Sequence, residues 1–336
     1  MIKSNRYKKI TLAFFIACYI TPYAQLTSGI TGKPDTSFTT FSAYNSTKKS
    51  HPEISIAEEL HSKSIKEKAN NVYCCIGDRT LLLDVFYPAK KSSAPRAAIM
   101  IIFGGGWRSG NRSQHYPLAQ QLANRGYVCF TPDYRLSTEA LYPAAVYDLK
   151  AALRWIHSHA KSYGVDTNKI AVAGFSAGGE LAAFIGTTNG DNKYEGPACN
   201  KAFSSRVQAI VDMDGTLSFV NAESGEGDDS KRTSAATYWF GYAKKDNHQL
   251  WEEASPLTHV SPNTPPTLFV NSSVGRMHAG REEYRKVLKE AGTYSEVKSF
   301  PDAPHSFPLF HPWFIPMVNS IDDFLHRVFL LKKASD

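Results

Sequence analysis

Cysteine is scarce in this chain, at five of 336 residues, too few for the disulfide framework that organises small secreted domains. Histidine, cysteine and acidic residues show no ligand spacing, so neither a metal nor an organic cofactor is expected. Long apolar stretches are missing as well: the run at 10–20 is shorter than the ~20 residues of a membrane-spanning helix. No internal repeat is visible. Neither sign of charge dominates. The chain carries +7, and residues 1–24 hold four of those positive charges and no acid, which leaves +3 for the rest. An excess that small does not indicate a nucleic-acid or membrane partner.

What is present is the composition of a folded protein, 42% apolar and 21% charged, on a chain long enough to bury a full core. Lys3, Arg6, Lys8 and Lys9 precede the apolar run, and Ala24 precedes Gln25. Residues 1–24 therefore read as a signal peptide and the protein as exported. Pro22 is a poor residue so close to the cut, and Phe15-Ile16-Ala17-Cys18 offers a second export route with a lipid anchor on Cys18. Beyond the leader, Cys129 sits in an apolar run and reads as core, while Cys74 or Cys75 could pair with Cys199. Residues 25–66 are rich in Ser, Thr, Lys and Asn, and read as a solvated polar leader with little structure.

From residue 67 onward a single catalytic domain is expected. Two strands flank a turn at Gly77-Asp78-Arg79, then buried apolar strands at 97–103 and 128–132 alternate with helical segments at 113–124 and 144–160. Strands at 207–213, 266–271 and 296–300 and helices at 280–291 and 314–331 continue the rhythm. The stretch 216–256 is an insertion, read as a cap over the site. Alternation of this kind implies crossover units and a mostly parallel sheet covered by helices on both faces.

One stretch is also a reaction mechanism. Ile170 to Ala173 is apolar, Gly174-Phe175-Ser176-Ala177-Gly178-Gly179 breaks it, and an Ala/Leu-rich helix follows. Strand, sharp turn and helix around G-x-S-x-G form a nucleophile elbow, which lifts the Ser176 hydroxyl clear of the sheet edge. Serine is a weak nucleophile and needs a base within hydrogen-bond reach, plus fixed donors for the developing oxyanion. The run Gly104-Gly105-Gly106 ends a buried strand and is followed by Trp107. The N–H groups of Gly105, Gly106 and Ala177 are the expected oxyanion donors, with Trp107 placed beside the substrate. His305 follows the last strand and precedes the last helix, which makes it the candidate base.

In the order GGGW, GFSAGG, PHSF, these motifs resemble α/β-hydrolases of the esterase and lipase type over residues 72–333. The chain departs from that pattern twice. Phe103 stands where the H-G-G-G form of the loop has histidine. The loop 271–278, where relatives usually carry the triad acid, holds no carboxylate. Some members of the fold supply the acid one strand earlier, so Asp214 is the first choice, with Glu282 and Glu283 as alternatives and Asp212 as a lesser one. The two glutamates would otherwise complement a helix dipole.

Arg276, His278 and Arg281 cluster nearby and could bind a carboxylate or sugar oxygens, or remain solvated charges. The aromatics Tyr238, Trp239, Phe240, Tyr242 and Trp251, with Phe307, Phe310, Trp313 and Phe314, could stack on sugar rings or form core. The segment 272–283 together with PHSFPLFHPWF is similar to exported carbohydrate esterases. Such esterases remove acetyl, feruloyl or methyl groups from plant polysaccharides, and the resemblance implies a serine esterase, expected to remove acetyl or methyl groups from pectin or xylan, with an esterified polysaccharide as its partner. A small-ester or lipid hydrolase, a serine peptidase of the same fold and a non-catalytic carbohydrate-binding relative stay open.

Overall fold

The computed structural model describes residues 24–330. Residues 1–23, which hold most of the segment read above as a signal peptide and include Cys18, lie outside them. The strands are β1 (Ser55–Ile56), β2 (Ile65–Ile76), β3 (Arg79–Pro88), β4 (Arg96–Ile102), β5 (Val128–Pro132), β6 (Val165–Phe175), β7 (Ala209–Met213), β8 (Thr267–Asn271), β9 (Ser295–Ser299) and β10 (Phe310–His311). Eight of them form one sheet in the order β2-β3-β5-β4-β6-β7-β8-β9. The pairs β2–β3 and β3–β5 are antiparallel, and every later pair is parallel. This is the α/β-hydrolase architecture.

The central strands carry near-continuous apolar runs, such as 97–102 in β4 and 170–173 in β6, because both faces of the sheet are covered. Successive side chains on a strand point to opposite faces. Ala98, Met100 and Ile102 of β4 thus join Leu149, Leu153 and Ile156 of the helix Ala144–Ser158 on one side. Ile99 and Ile101 join Leu118 and Leu122 of Tyr116–Asn124 and Met317, Ile321 and Phe324 of Phe314–Leu330 on the other. From β4 the chain goes to β5 on one flank and then crosses to β6 on the other. The switch leaves a crevice at the carboxyl ends of β4 and β6, where ligands of open α/β sheets bind.

Backbone proximity at the elbow demands glycine. A Cβ on Gly174 would lie 1.9 Å from the Gly178 carbonyl oxygen, and one on Gly178 would lie 2.2 Å from that of Ile102. Helix Ala177–Thr187 can therefore start directly against the sheet.

The expectation of little structure over 25–66 is corrected. Thr40–Thr47 is helical with a capping box on Thr39, and β1 pairs with β10. The Leu26 N–H donates to the Gly241 carbonyl, and the Phe38 N–H to Ser109 Oγ. Residues 216–256 fold into short helices at Ala235–Phe240 and His248–Glu253. Trp239, Phe240 and Trp251 of this insertion are buried, as are Phe307, Phe310, Trp313 and Phe314. The aromatics of both groups thus serve mainly as core, and Tyr238 alone of those named borders the cavity beside Ser176. Cys74 is disulfide-bonded to Cys199, while Cys75 is free and exposed and Cys129 is free and buried. No helix among the described residues is long and apolar enough to cross a membrane.

Candidate active site

Four strand ends converge on one point. Ser176 follows β6 and caps the next helix with φ 56° and ψ −122°. That left-handed backbone is rare for a side chain larger than glycine, and it is the strain expected of an elbow. The Ser176 N–H donates to the Met213 carbonyl at 2.9 Å, which ties the turn to the end of β7. Asp214 comes next after Met213, fully buried and also left-handed at φ 53°. His305 lies in the loop after β9.

The side chains of these three residues are in line. His305 Nε2 lies 2.9 Å from Ser176 Oγ, and His305 Nδ1 lies 3.1 Å from Asp214 Oδ2. Asp214 Oδ1 accepts from the Ser272 N–H at 2.9 Å and from Asn271 Nδ2 at 3.3 Å. The loop that lacks a carboxylate thus supplies the donors that hold the carboxylate of the preceding strand. Phe175 packs against His305 with ring centroids 5.1 Å apart. An imidazole oriented in this way can take a proton from the hydroxyl while the carboxylate fixes its tautomer and stabilises the imidazolium.

The other acid candidates are placed elsewhere. Glu282 pairs with Arg281 and Arg285 on the surface. Asp212 is fully buried, accepts from the Gly215 N–H at 2.7 Å and leaves Oδ2 without a partner among the described residues. Burial holds its carboxyl well above the ordinary carboxylate range, and the neighbouring Asp214 adds to the effect.

The glycine loop lies against the elbow: a Cβ on Gly104 would meet the Phe175 carbonyl oxygen at 2.6 Å and Ser176 Cβ at 3.1 Å. Gly105, Gly106 and Trp107 all have positive φ, at 136°, 60° and 56°. Support for this loop comes from residues that its own pattern does not announce. Gln114 Oε1 accepts from the Gly104 N–H at 2.8 Å while its Nε2 donates to the Gly104 carbonyl at 3.3 Å. Phe103, the departure from histidine, stacks on Tyr134 at 4.3 Å, and the Tyr134 hydroxyl donates to the Phe103 carbonyl at 3.0 Å.

A cavity of about 630 Å³ borders Ser176, Ala177, Gly106, Trp107 and His305 and is walled by residues 225–228 and 232–235 of the insertion. Arg276 reaches it, bonded to Glu226 at 2.9 Å. Arg108 reaches it lying 4.2 Å over the Tyr238 ring. His278 and Arg281 do not border it. His278 Nε2 lies 3.1 Å from the Ser272 carbonyl oxygen, and Arg281 Nη1 donates to Asn271 Oδ1 at 2.7 Å. Both therefore brace the loop behind Asp214, which corrects their reading as substrate ligands. Among the described residues no cluster of three metal-ligating side chains occurs.

Comparison with known proteins adds a family to this geometry. The BD-FAE family model matches residues 83–276, more than half of the chain. The chain belongs to the BD-FAE family. The matched span runs from β3 to Arg276, so it includes the glycine loop, the elbow and Asp214. Esterase LipC of Mycobacterium tuberculosis is 29% identical over 247 residues, which cover 69% of this chain and 58% of LipC. This chain therefore spans little more than half the length of that curated relative. A butyrate-bound structure of the thermophilic esterase Est2 from Thermogutta terrifontis matches with a TM-score of 0.64 and 27% identity, covering 79% of this chain and 95% of Est2. A truncated carbohydrate esterase from gut microbiota has a TM-score of 0.65 at 24% identity, covering 80% and 99% of the two chains. At that identity the last likeness concerns the fold.

Proposed function

We propose that this BD-FAE member is an exported serine carboxylic-ester hydrolase that removes acetyl or methyl groups from plant cell-wall polysaccharide, pectin or xylan. The observation that carries the reading is the chain Ser176 Oγ, His305, Asp214, with its two contacts at 2.9 and 3.1 Å. Ser176 attacks the ester carbonyl as His305 Nε2 takes its proton. The N–H groups of Gly105, Gly106 and Ala177 stabilise the tetrahedral oxyanion. His305 then protonates the leaving alcohol, and the acyl group stays on Ser176. A water deprotonated by His305 attacks the acyl-enzyme, which releases the acid and restores the serine.

A polar sugar ester suits a cavity whose wall carries Arg108, Arg276, Glu226, Asp228 and Tyr238. Arg276 is about half exposed, at 49%, so its pair with Glu226 contributes little to stability and leaves the guanidinium within reach of a substrate carboxylate. Export is supported by the Cys74–Cys199 disulfide, a bond of oxidising compartments. Hydrolysis of small short-chain esters is the second reading, and the likeness to butyrate-bound Est2 favours it.

The test is release of acetate and methanol from acetylated xylan and from methylated, acetylated pectin, with Ser176→Ala as control. Acetate or methanol from the wild type alone supports the proposal and names the ester. Turnover confined to small esters selects the second reading. Equal release by both proteins contradicts the serine mechanism.

A further inference from the structure

Glu180 is a carboxylate in the first turn of the elbow helix, inside the otherwise apolar run Ala-Gly-Gly-Glu-Leu-Ala-Ala. It is fully buried. Its Oε2 accepts from the Trp107 indole N–H at 2.8 Å, while Oε1 has no partner among the described residues. Trp107 is itself fixed on other sides. Its ring stacks on Trp239 of the insertion at 4.9 Å and 7°, Phe219 packs at 5.3 Å, and its carbonyl accepts from the Ser137 N–H at 2.8 Å.

These contacts matter because of what lies next to each end of the hydrogen bond. Trp107 directly follows Gly105 and Gly106, whose N–H groups form one half of the proposed oxyanion hole, and its own φ of 56° continues their left-handed path. Glu180 stands one helical turn beyond Ala177, which supplies the other half, and Ser176. The bond therefore spans the two halves. Helix Ala177–Thr187 is held against the sheet, so a side chain rising from its first turn is a fixed reference for the loop of three glycines, whose last two residues carry no side chain of their own to hold them.

We propose that Glu180 is a positioning residue that sets the spacing between the two halves of the oxyanion hole by holding the Trp107 indole. The proposal rests on the serine-ester reading above. The Glu180 N–H donates to the Ser176 carbonyl at 3.0 Å as part of the helix's first turn, but its carboxylate bonds the Trp107 indole rather than the Ser176 hydroxyl or the His305 ring, so the side chain's effect acts on the transition state through donor placement. Burial keeps its carboxyl well above the ordinary carboxylate range, which makes glutamine, neutral and with the same acceptor oxygen, the conservative substitute.

The experiment measures kcat and KM on an aryl acetate, thermal stability, and the exchange of the Trp107 indole N–H by NMR. Glu180→Leu, Glu180→Gln, Trp107→Phe and the Leu/Phe double variant are compared with the wild type. Glu180→Leu is expected to lower kcat by ~100-fold, the scale of one misplaced oxyanion donor, with KM changed less than about threefold. Glu180→Gln is expected to restore kcat to within about fivefold of the wild type and to keep the indole N–H protected. Trp107→Phe removes the donor and should match the loss in Glu180→Leu. The double variant should then be no worse than the poorer single one, because both remove the same bond.

Wild-type kcat in a folded Glu180→Leu, equal losses in the Gln and Leu variants, or additive losses in the double variant would overturn the proposal and leave the esterase reading standing. Should Glu180→Leu fail to fold, Trp107→Phe and Glu180→Gln carry the same comparison. A folded wild type inactive on every ester overturns both readings.

Discussion

Asp212 and Asp214 stand two positions apart at the end of β7, both fully buried, and only Asp214 meets the histidine. Asp214 reaches His305 Nδ1, and its second oxygen is held by Ser272 and Asn271. Asp214→Asn should present the wrong hydrogen-bond partner to the imidazole and lower turnover by ~10⁴-fold, the scale of acid loss in a triad. Asp212→Asn should keep turnover within about tenfold, since an amide oxygen can still accept from Gly215. Stability gives Asp212 a test of its own. A carboxyl raised by burial contributes stability below its unfolded pKa of about 4 and loses it as pH rises towards its folded pKa. Asp212→Asn should therefore gain thermal stability relative to the wild type as pH climbs from 4 to 8. Parallel melting profiles of the two proteins would contradict that assignment.

The elbow depends at the level of elements on a helix placed against a strand without a side chain between them. At Gly178 a Cβ would lie 2.2 Å from the Ile102 carbonyl oxygen, which is backbone and cannot rotate away. Gly178→Ala should destabilise the fold by about 3 kcal/mol or more, above the usual range for overpacking. Gly275→Ala, where nothing lies within 4 Å, should stay within about 0.5 kcal/mol. Denaturant unfolding of the two variants measures the difference, and equal midpoints would contradict the steric account.

These elements were also the legible part of the sequence. Buried strands such as AAIMII announce themselves by apolar runs, and G-x-S-x-G announces the turn. The segment 25–66 was not legible, because it is held by bonds such as Phe38 N–H to Ser109 Oγ and Leu26 N–H to the Gly241 carbonyl, which leave no apolar period. The aromatics of the insertion were ambiguous for a related reason: composition gives ring content, whereas burial depends on the partner across the interface. His278 and Arg281 looked like ligands because they are charged neighbours of the site, yet they face the back of the acid loop. Gln114 and Glu180 carried one signal each. Both are polar residues that the fold places in core, and Glu180 interrupts an apolar helix face.

Across the whole molecule, the disulfide from Cys74 to Cys199 bridges 125 positions and ties β2, at the sheet's edge, to the loop before β7. A loop of that length is worth about 4–5 kcal/mol in the chain-entropy account. Arg154 secures the same loop through the Cys199 and Ala198 carbonyls at 2.9 and 2.7 Å. The frame thus holds the sheet while the loops after β4, β6, β7 and β9 carry the proposed chemistry. On the proposed mechanism Ser176 is the serine that this frame activates. Exposure of the protein to a phosphonate ester that mimics the tetrahedral intermediate, followed by peptide mass mapping, tests this most directly. One adduct on Ser176, lost in Ser176→Ala and slowed in Asp214→Asn, is the predicted result. No adduct on Ser176, or undiminished ester turnover in Ser176→Ala, would contradict it.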